Sequence, residues 1–210
     1  MMTHLLLKGE LTPKARILSA LAGVAMLAAI FLPLWQMTMI SNQYPEGLRL
    51  WIYTYKITGD LQEINTLNHY IGMHPLDAEH FAELRLLPFS FGLGALLCLL
   101  AAALRRRSVT TLVLAGGLGS GLVSMAIMLY ELYNYGHNLD PKAAIDVPPF
   151  MPPPLGFNKI ANFQVTSFFH LGSVFFILAI VTLVVALWIS RPQVASRKSQ
   201  VTDTKLPAAR

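Results

Sequence analysis

ILSALAGVAMLAAIFLPLW, residues 17–35, decides the class of this protein. Nineteen residues pass without a charge, enough for a helix to cross a hydrocarbon core of about 30 Å. Just upstream, Thr12-Pro13 places an N-cap residue before proline at the first helical position. A secretory signal peptide is the competing reading, but its apolar core is shorter and ends in a small-residue cleavage site. Here the run ends in Leu32-Pro33-Leu34-Trp35, and tryptophan suits the boundary between membrane and water. The stretch reads as an uncleaved first span.

Three further runs have the same character. Residues 86–104 carry no charge and are closed by Arg105-Arg106-Arg107. Residues 108–130 are also uncharged and hold Gly117 and Gly121, the small-xxx-small spacing that lets membrane helices approach closely. Residues 167–190 form the fourth. The whole chain is 54% hydrophobic and 13% charged, about half the charge of a soluble domain. Cys98 is the single cysteine and lies inside an apolar run, so neither a disulfide framework nor a cysteine metal site is expected.

The basic balance, +5 with a pI near 9.5, is explained by where the charges fall. The N-terminus, the turn at 105–107 and the tail at 191–210 hold eleven of the sixteen basic residues and only two acids, Glu10 and Asp203. The two long loops, 36–85 and 131–166, hold nine acids and five basic residues. By the positive-inside rule both termini face the cytoplasm and both long loops face outward. The positive charge is a topology signal, and no nucleic-acid partner is expected. The expected fold is an all-α membrane protein of one domain with four spans. The two long loops are expected to build a small extracytoplasmic α+β cap.

Within the first loop, Leu48–Ile57 is rich in β-branched and aromatic residues and reads as a strand. Thr58-Gly59-Asp60 reads as a turn. Asp60-Leu61-Gln62-Glu63 has capping-box spacing, which predicts a short helix. It leads into Asn68-His69-Tyr70-Ile71-Gly72-Met73-His74-Pro75 and stops near Gly72, after which Pro75 begins a second, amphipathic helix through Phe81 and Leu84 that ends at Leu87-Pro88. In the second loop, Val147-Pro148-Pro149-Phe150-Met151-Pro152-Pro153-Pro154 must lie extended as a stiff strap.

The motif at 68–75 concentrates groups that can ligate a metal. If the chain is helical through residue 73, His69 and Met73 are four apart and share one face. Imidazole with thioether suits copper, the thioether favouring Cu(I). His69, Met73, His74 and Met151 are the expected metal ligands, with Met37 and Met39 as alternatives, and Asn68 and Tyr70 orienting them. Against this, methionine is an ordinary filler of apolar surfaces, as Met125 and Met128 read in the third span. A loop histidine is usually a surface hydrogen-bonding group; His74 before Pro75 also reads as a turn residue, and His80 as an exposed position on the amphipathic helix. His137 also lies in the second loop. Glu131 reads as a boundary charge, and His170 as one turn inside the fourth span among phenylalanines. No nucleophile elbow, dinucleotide fingerprint, phosphate loop, haem attachment or zincin helix is present, so an enzyme is not expected.

The strings Gln43-Tyr44-Pro45-Glu46-Gly47-Leu48, Glu63-Ile64-Asn65, Asn68-His69-Tyr70-Ile71-Gly72-Met73 and Lys159-Ile160-Ala161-Asn162-Phe163 resemble those of a group of uncharacterised bacterial four-span membrane proteins. Some of that group are encoded near genes for copper handling and nitrous-oxide reductase maturation. The resemblance covers residues 35–90 and 130–167 and implies a link to copper by association, without assigning a role to any residue. The expected function is an accessory protein, a metallochaperone that binds or passes copper at the extracytoplasmic face to a respiratory or periplasmic oxidoreductase. The alternative is a metal-free assembly or structural subunit of a membrane respiratory complex, with the motif as its docking surface. A small transporter is a third reading that four unbroken spans support little.

Overall fold

The structure is a computed structural model that describes residues 9–77 and 85–191. Helix α1 spans Pro13–Phe31, with the Thr12 hydroxyl accepting from the Ala15 amide at 3.3 Å. Its buried positions are Ala15, Ser19, Ala22, Gly23, Ala25, Met26 and Ala29, almost all small. That stripe lets two other helices lie close against it: α3, Leu87–Leu104, and α5, Leu171–Ile189. Ala95 and Cys98 of α3 and Ala179 and Leu183 of α5 complete the buried seam. The opposite side of α1, with Ile17, Leu21 and Val24, is exposed and apolar, as a lipid-facing surface must be. Four helices, α1, α3, α5 and the 31-residue α4, Arg107–His137, are long and apolar enough to cross a membrane. The chain is a multi-pass membrane protein.

One end of the bundle gathers the basic residues. The Leu11 amide donates to the Arg105 carbonyl at 2.7 Å, the Arg16 guanidinium to the Ala102 carbonyl at 2.7 Å, and Arg107 to the Leu187 carbonyl at 3.4 Å.

The other end carries a sheet, and here the expectation of an all-α fold is corrected. The chain is mixed: 56% is helical and 19% lies in a five-stranded antiparallel sheet. The strands are β1 Trp35–Ser41, β2 Tyr44–Ile52, β3 Ile57–Gly59, β4 Gly156–Ile160 and β5 Phe163–Phe169, in the order β3-β2-β1-β5-β4. Two of these strands lie mainly in the expected loops but take in the edge of sequence that reads as span: β1 begins at Trp35, and β5 covers residues 167–169. Helix α1 stops at Phe31, because Pro33 cannot continue it, and Trp35 opens β1. The fourth helix starts only at Leu171, because residues 163–169 pair with β1 from Trp35↔Phe169 to Ile40↔Gln164. Uncharged sequence alone does not separate a strand from a helix end. The single strand expected over residues 48–57 is two. The Tyr53 amide donates to the Lys56 carbonyl at 2.9 Å to turn the chain, and the buried Thr54 hydroxyl donates to the Ile30 carbonyl at the end of α1.

Asp60 does precede a helix, α2, Leu61–Tyr70, but its carboxylate accepts from the Arg49 amide at 2.7 Å and makes no helix cap. The helix anchors to the sheet through Ile64. The amphipathic helix expected from Pro75 lies largely outside the described residues, and residues 75–77 are not helical. Asn65 instead clamps the Leu76 backbone, accepting from its amide at 2.7 Å and donating to its carbonyl at 3.3 Å.

Helix α4 is set apart from the other three. Its length is about 46 Å at 1.5 Å per residue, so it exceeds a hydrocarbon core of about 30 Å and its last turns project beside the sheet. Only Arg107, Thr110, Val113 and Gly136 are buried along it. It touches α5 through the expected small residues: a Cβ on Gly121 would come 3.3 Å from the Phe176 ring, and one on Gly117 would meet Ile180.

Candidate functional site

A cavity of about 1650 Å³ opens between the sheet and the helices. Its roof is the inner face of the sheet, with Met37, Met39, Leu50 and Val165. Its walls are α2, the first turns of α3, residues 117–135 of α4, and Ser173, Phe176 and Ile177 of α5. The lining is overwhelmingly apolar. Its polar side chains include Asn68, Glu131 and Tyr135, serines of the helix walls such as Ser120, Ser124 and Ser173, and Ser41, Gln43 and Lys159 at the two hairpins.

The proline strap closes one side. Residues 147–153 form neither helix nor strand, and the chain bends at Pro154. The Phe150 amide donates to the Gly136 carbonyl at 3.0 Å, and the Trp35 indole Nε1 donates to the Pro154 carbonyl at 2.7 Å. Val147, Phe150 and Pro152 line the cavity from the strap. Gly136 permits this contact, since a Cβ there would fall on the Phe150 carbonyl.

The motif at 68–75 forms the turn that ends α2. Gly72 takes φ +78°, the left-handed region where glycine closes helices, and the Met73 amide returns to the Asn68 carbonyl at 2.8 Å. The second loop covers this turn: the Asp140 amide donates to the Gly72 carbonyl at 2.8 Å and the Ile145 amide to the Tyr70 carbonyl at 3.0 Å. The Tyr135 phenol donates to the Pro75 carbonyl at 3.1 Å. Tyr135 lies in the last turns of α4.

Of the four expected metal ligands, only Met73 lines the cavity. Helix α2 ends at Tyr70, so the shared helical face that would pair His69 with Met73 does not form. His69 and His74 are exposed, and Met151 is half-buried on the strap beside the cavity-lining Phe150 and Pro152. Among the described residues, no group of three His, Cys, Asp or Glu side chains is placed to hold a metal ion. Met37 and Met39 line the cavity, as do Met125 and Met128, which the sequence marks only as packing.

His137 stacks on Tyr133 at 3.8 Å, with its Nδ1 2.9 Å from the Tyr133 carbonyl. His170 sits at the N-cap of α5 rather than one turn inside it, with Nδ1 buried and unpartnered among the described residues. Glu131 lies within α4 and lines the cavity. His80 lies outside the described residues. Ser120 and Ser124 carry no sequence signal that points to the cavity.

These features define a multi-pass membrane protein with a sheet cap and a cavity where cap and spans meet. No protein-family model, curated protein or solved structure matches the chain.

Proposed function

We propose that this protein holds one lipid-like guest in the cavity beneath its sheet, as an accessory protein of the bacterial inner membrane. The carrying observation is the cavity itself: about 1650 Å³, apolar, and bounded by membrane helices. It exceeds the roughly 300–1,000 Å³ of an ordinary small-ligand pocket. At hydrocarbon depth water is a poor filler of an apolar space, whereas acyl or isoprenoid chains fit it. The basic end faces the cytoplasm and the cap faces outward, as the lysine and arginine distribution favours. Ser124→Trp tests the reading by filling the space from α4. Purified in mild detergent and extracted for mass spectrometry, the wild-type chain is expected to carry about one guest. The variant should carry at least fivefold less (about 1 kcal/mol). Equal retention in two well-folded proteins sinks the idea.

Copper handling is a second reading, favoured by one observation. Met37, Met39, Met73, Met125 and Met128 all line the same cavity, and thioethers are soft ligands suited to Cu(I). On this reading the protein accepts copper at the cap and passes it to a membrane or periplasmic oxidoreductase. After anaerobic Cu(I) loading, about one tightly held copper is expected, and Met37→Leu/Met73→Leu should lose it. No copper in either protein favours a metal-free assembly subunit.

A further inference from the structure

At the basic end of the bundle, where α1 begins and α3 ends, a shallow groove of about 480 Å³ runs between the two helices. Ile17 and Ala20 line it from α1 and Leu99, Ala102 and Ala103 from α3, with Arg16 towards the helix ends. Further along, the groove closes where the helices touch at Gly23: a Cβ there would come 3.0 Å from the Ala95 carbonyl. Arg16 is half-buried, and its Nε donates to the Ala102 carbonyl at 2.7 Å. That bond pins the guanidinium at the mouth of the groove. Its two terminal nitrogens are accessible and make no hydrogen bond among the described residues. Arg105, whose carbonyl accepts from the Leu11 amide at 2.7 Å, follows Ala102 by three residues. Lys14, Arg105 and Arg106 are exposed at this end, and the one acid beside them among the described residues is Glu10, which bridges to Arg106 through the backbone.

We propose that this groove binds one acidic glycerophospholipid of the surrounding leaflet, with an acyl chain along its apolar wall and the headgroup phosphate on the Arg16 guanidinium. The site lies at the opposite end of the bundle from the cavity and does not depend on the lipid-holding reading. A fixed guanidinium with two open donors offers the fork that phosphate oxygens accept from. A basic recess between membrane helices is suited to acidic headgroups, and the surplus of cations at its mouth favours them over zwitterionic ones. Depth agrees, since Arg16 stands in the first turn of α1, where hydrocarbon gives way to headgroups.

The test uses the full chain, delipidated in detergent and titrated with dioleoylphosphatidylglycerol or dioleoylphosphatidylcholine, with occupancy read by native mass spectrometry. Running it in parallel on Ser124→Trp separates the groove from the cavity, because groove binding is the same in both proteins. The acidic lipid should bind at least fivefold more tightly than the zwitterionic one, and Arg16→Gln should erase that preference. An arginine that serves only to clamp α1 to α3 would lower the melting temperature when replaced and leave the ratio of the two lipids as it was, which overturns the proposal. Ala103→Trp, at an exposed position, fills the groove and keeps every charge. It should weaken the acidic lipid about fivefold as well, and it keeps the test decisive if Arg16→Gln does not fold. Unchanged affinity in Ala103→Trp would mean attraction to a basic surface without a chain in the groove, and would sink the assignment. So would displacement of the lipid by inorganic phosphate at equal concentration, the mark of a plain anion site.

Discussion

Gly136→Val is expected to separate the proline strap from α4 and to empty the cavity. The glycine lies in the last turn of α4, buried against the strap, and its carbonyl accepts from the Phe150 amide at 3.0 Å. Any Cβ there falls on the Phe150 carbonyl, which is backbone and cannot swing aside as a flexible side chain would. Overpacking of this kind costs about 1–3 kcal/mol and more when backbone must move, so we expect a loss near the top of that range. The apparent melting temperature in detergent should fall by roughly 5–10 °C. Guest retention should fall with it, because Phe150 and Pro152 form part of the cavity wall. Differential scanning fluorimetry with lipid extraction measures both. Wild-type values in both would mean that the strap is not fastened at Gly136.

Trp35→Ala attacks the other end of the strap. Trp35 is 3% exposed, opens β1 and belongs to the buried cluster under the sheet. Its indole also holds the Pro154 carbonyl at 2.7 Å. Removal of a buried tryptophan costs about 3–5 kcal/mol, and on the order of 10 °C in melting temperature is expected. Trp35→Phe separates the two contributions. It keeps most of the apolar contact and gives up one hydrogen bond, worth about 1 kcal/mol, or a few degrees. If Trp35→Phe were as harmful as Trp35→Ala, the bond to the strap rather than the packing would dominate at this position.

The readings that local chemistry could carry were the membrane ones. Charge-free runs mark all four long apolar helices, to within four residues at every end but the last of α4, which runs on to His137, because desolvating a charged side chain in hydrocarbon is costly. Thr12-Pro13 marked the start of α1, where the Thr12 hydroxyl does cap the helix. Prolines marked the strap, since they remove backbone donors wherever they stand. Asp60 marked the start of α2, although its carboxylate turned out to serve β2.

The site was legible only in fragments. Residues 68–75 did stand out, and Asn68, Tyr70 and Met73 do line the cavity. The pairing of His69 with Met73 failed because Gly72 ends the helix in a left-handed turn, so spacing along the chain no longer translated into a common face.

Composition and patterning alone therefore determined that this chain enters a membrane, roughly where it crosses, and that its two long loops belong to the same side. Tertiary structure decided that those loops become one sheet, that its neighbouring inner strands β1 and β5 take in Trp35 and residues 167–169 at the edges of two expected spans, and that a cavity is left beneath it. The physical reason is range. Insertion into hydrocarbon is a property of each segment by itself, whereas a strand at residue 165 exists because of a partner at residue 39. A cavity is further removed still, being the space left by five elements whose positions no single segment encodes.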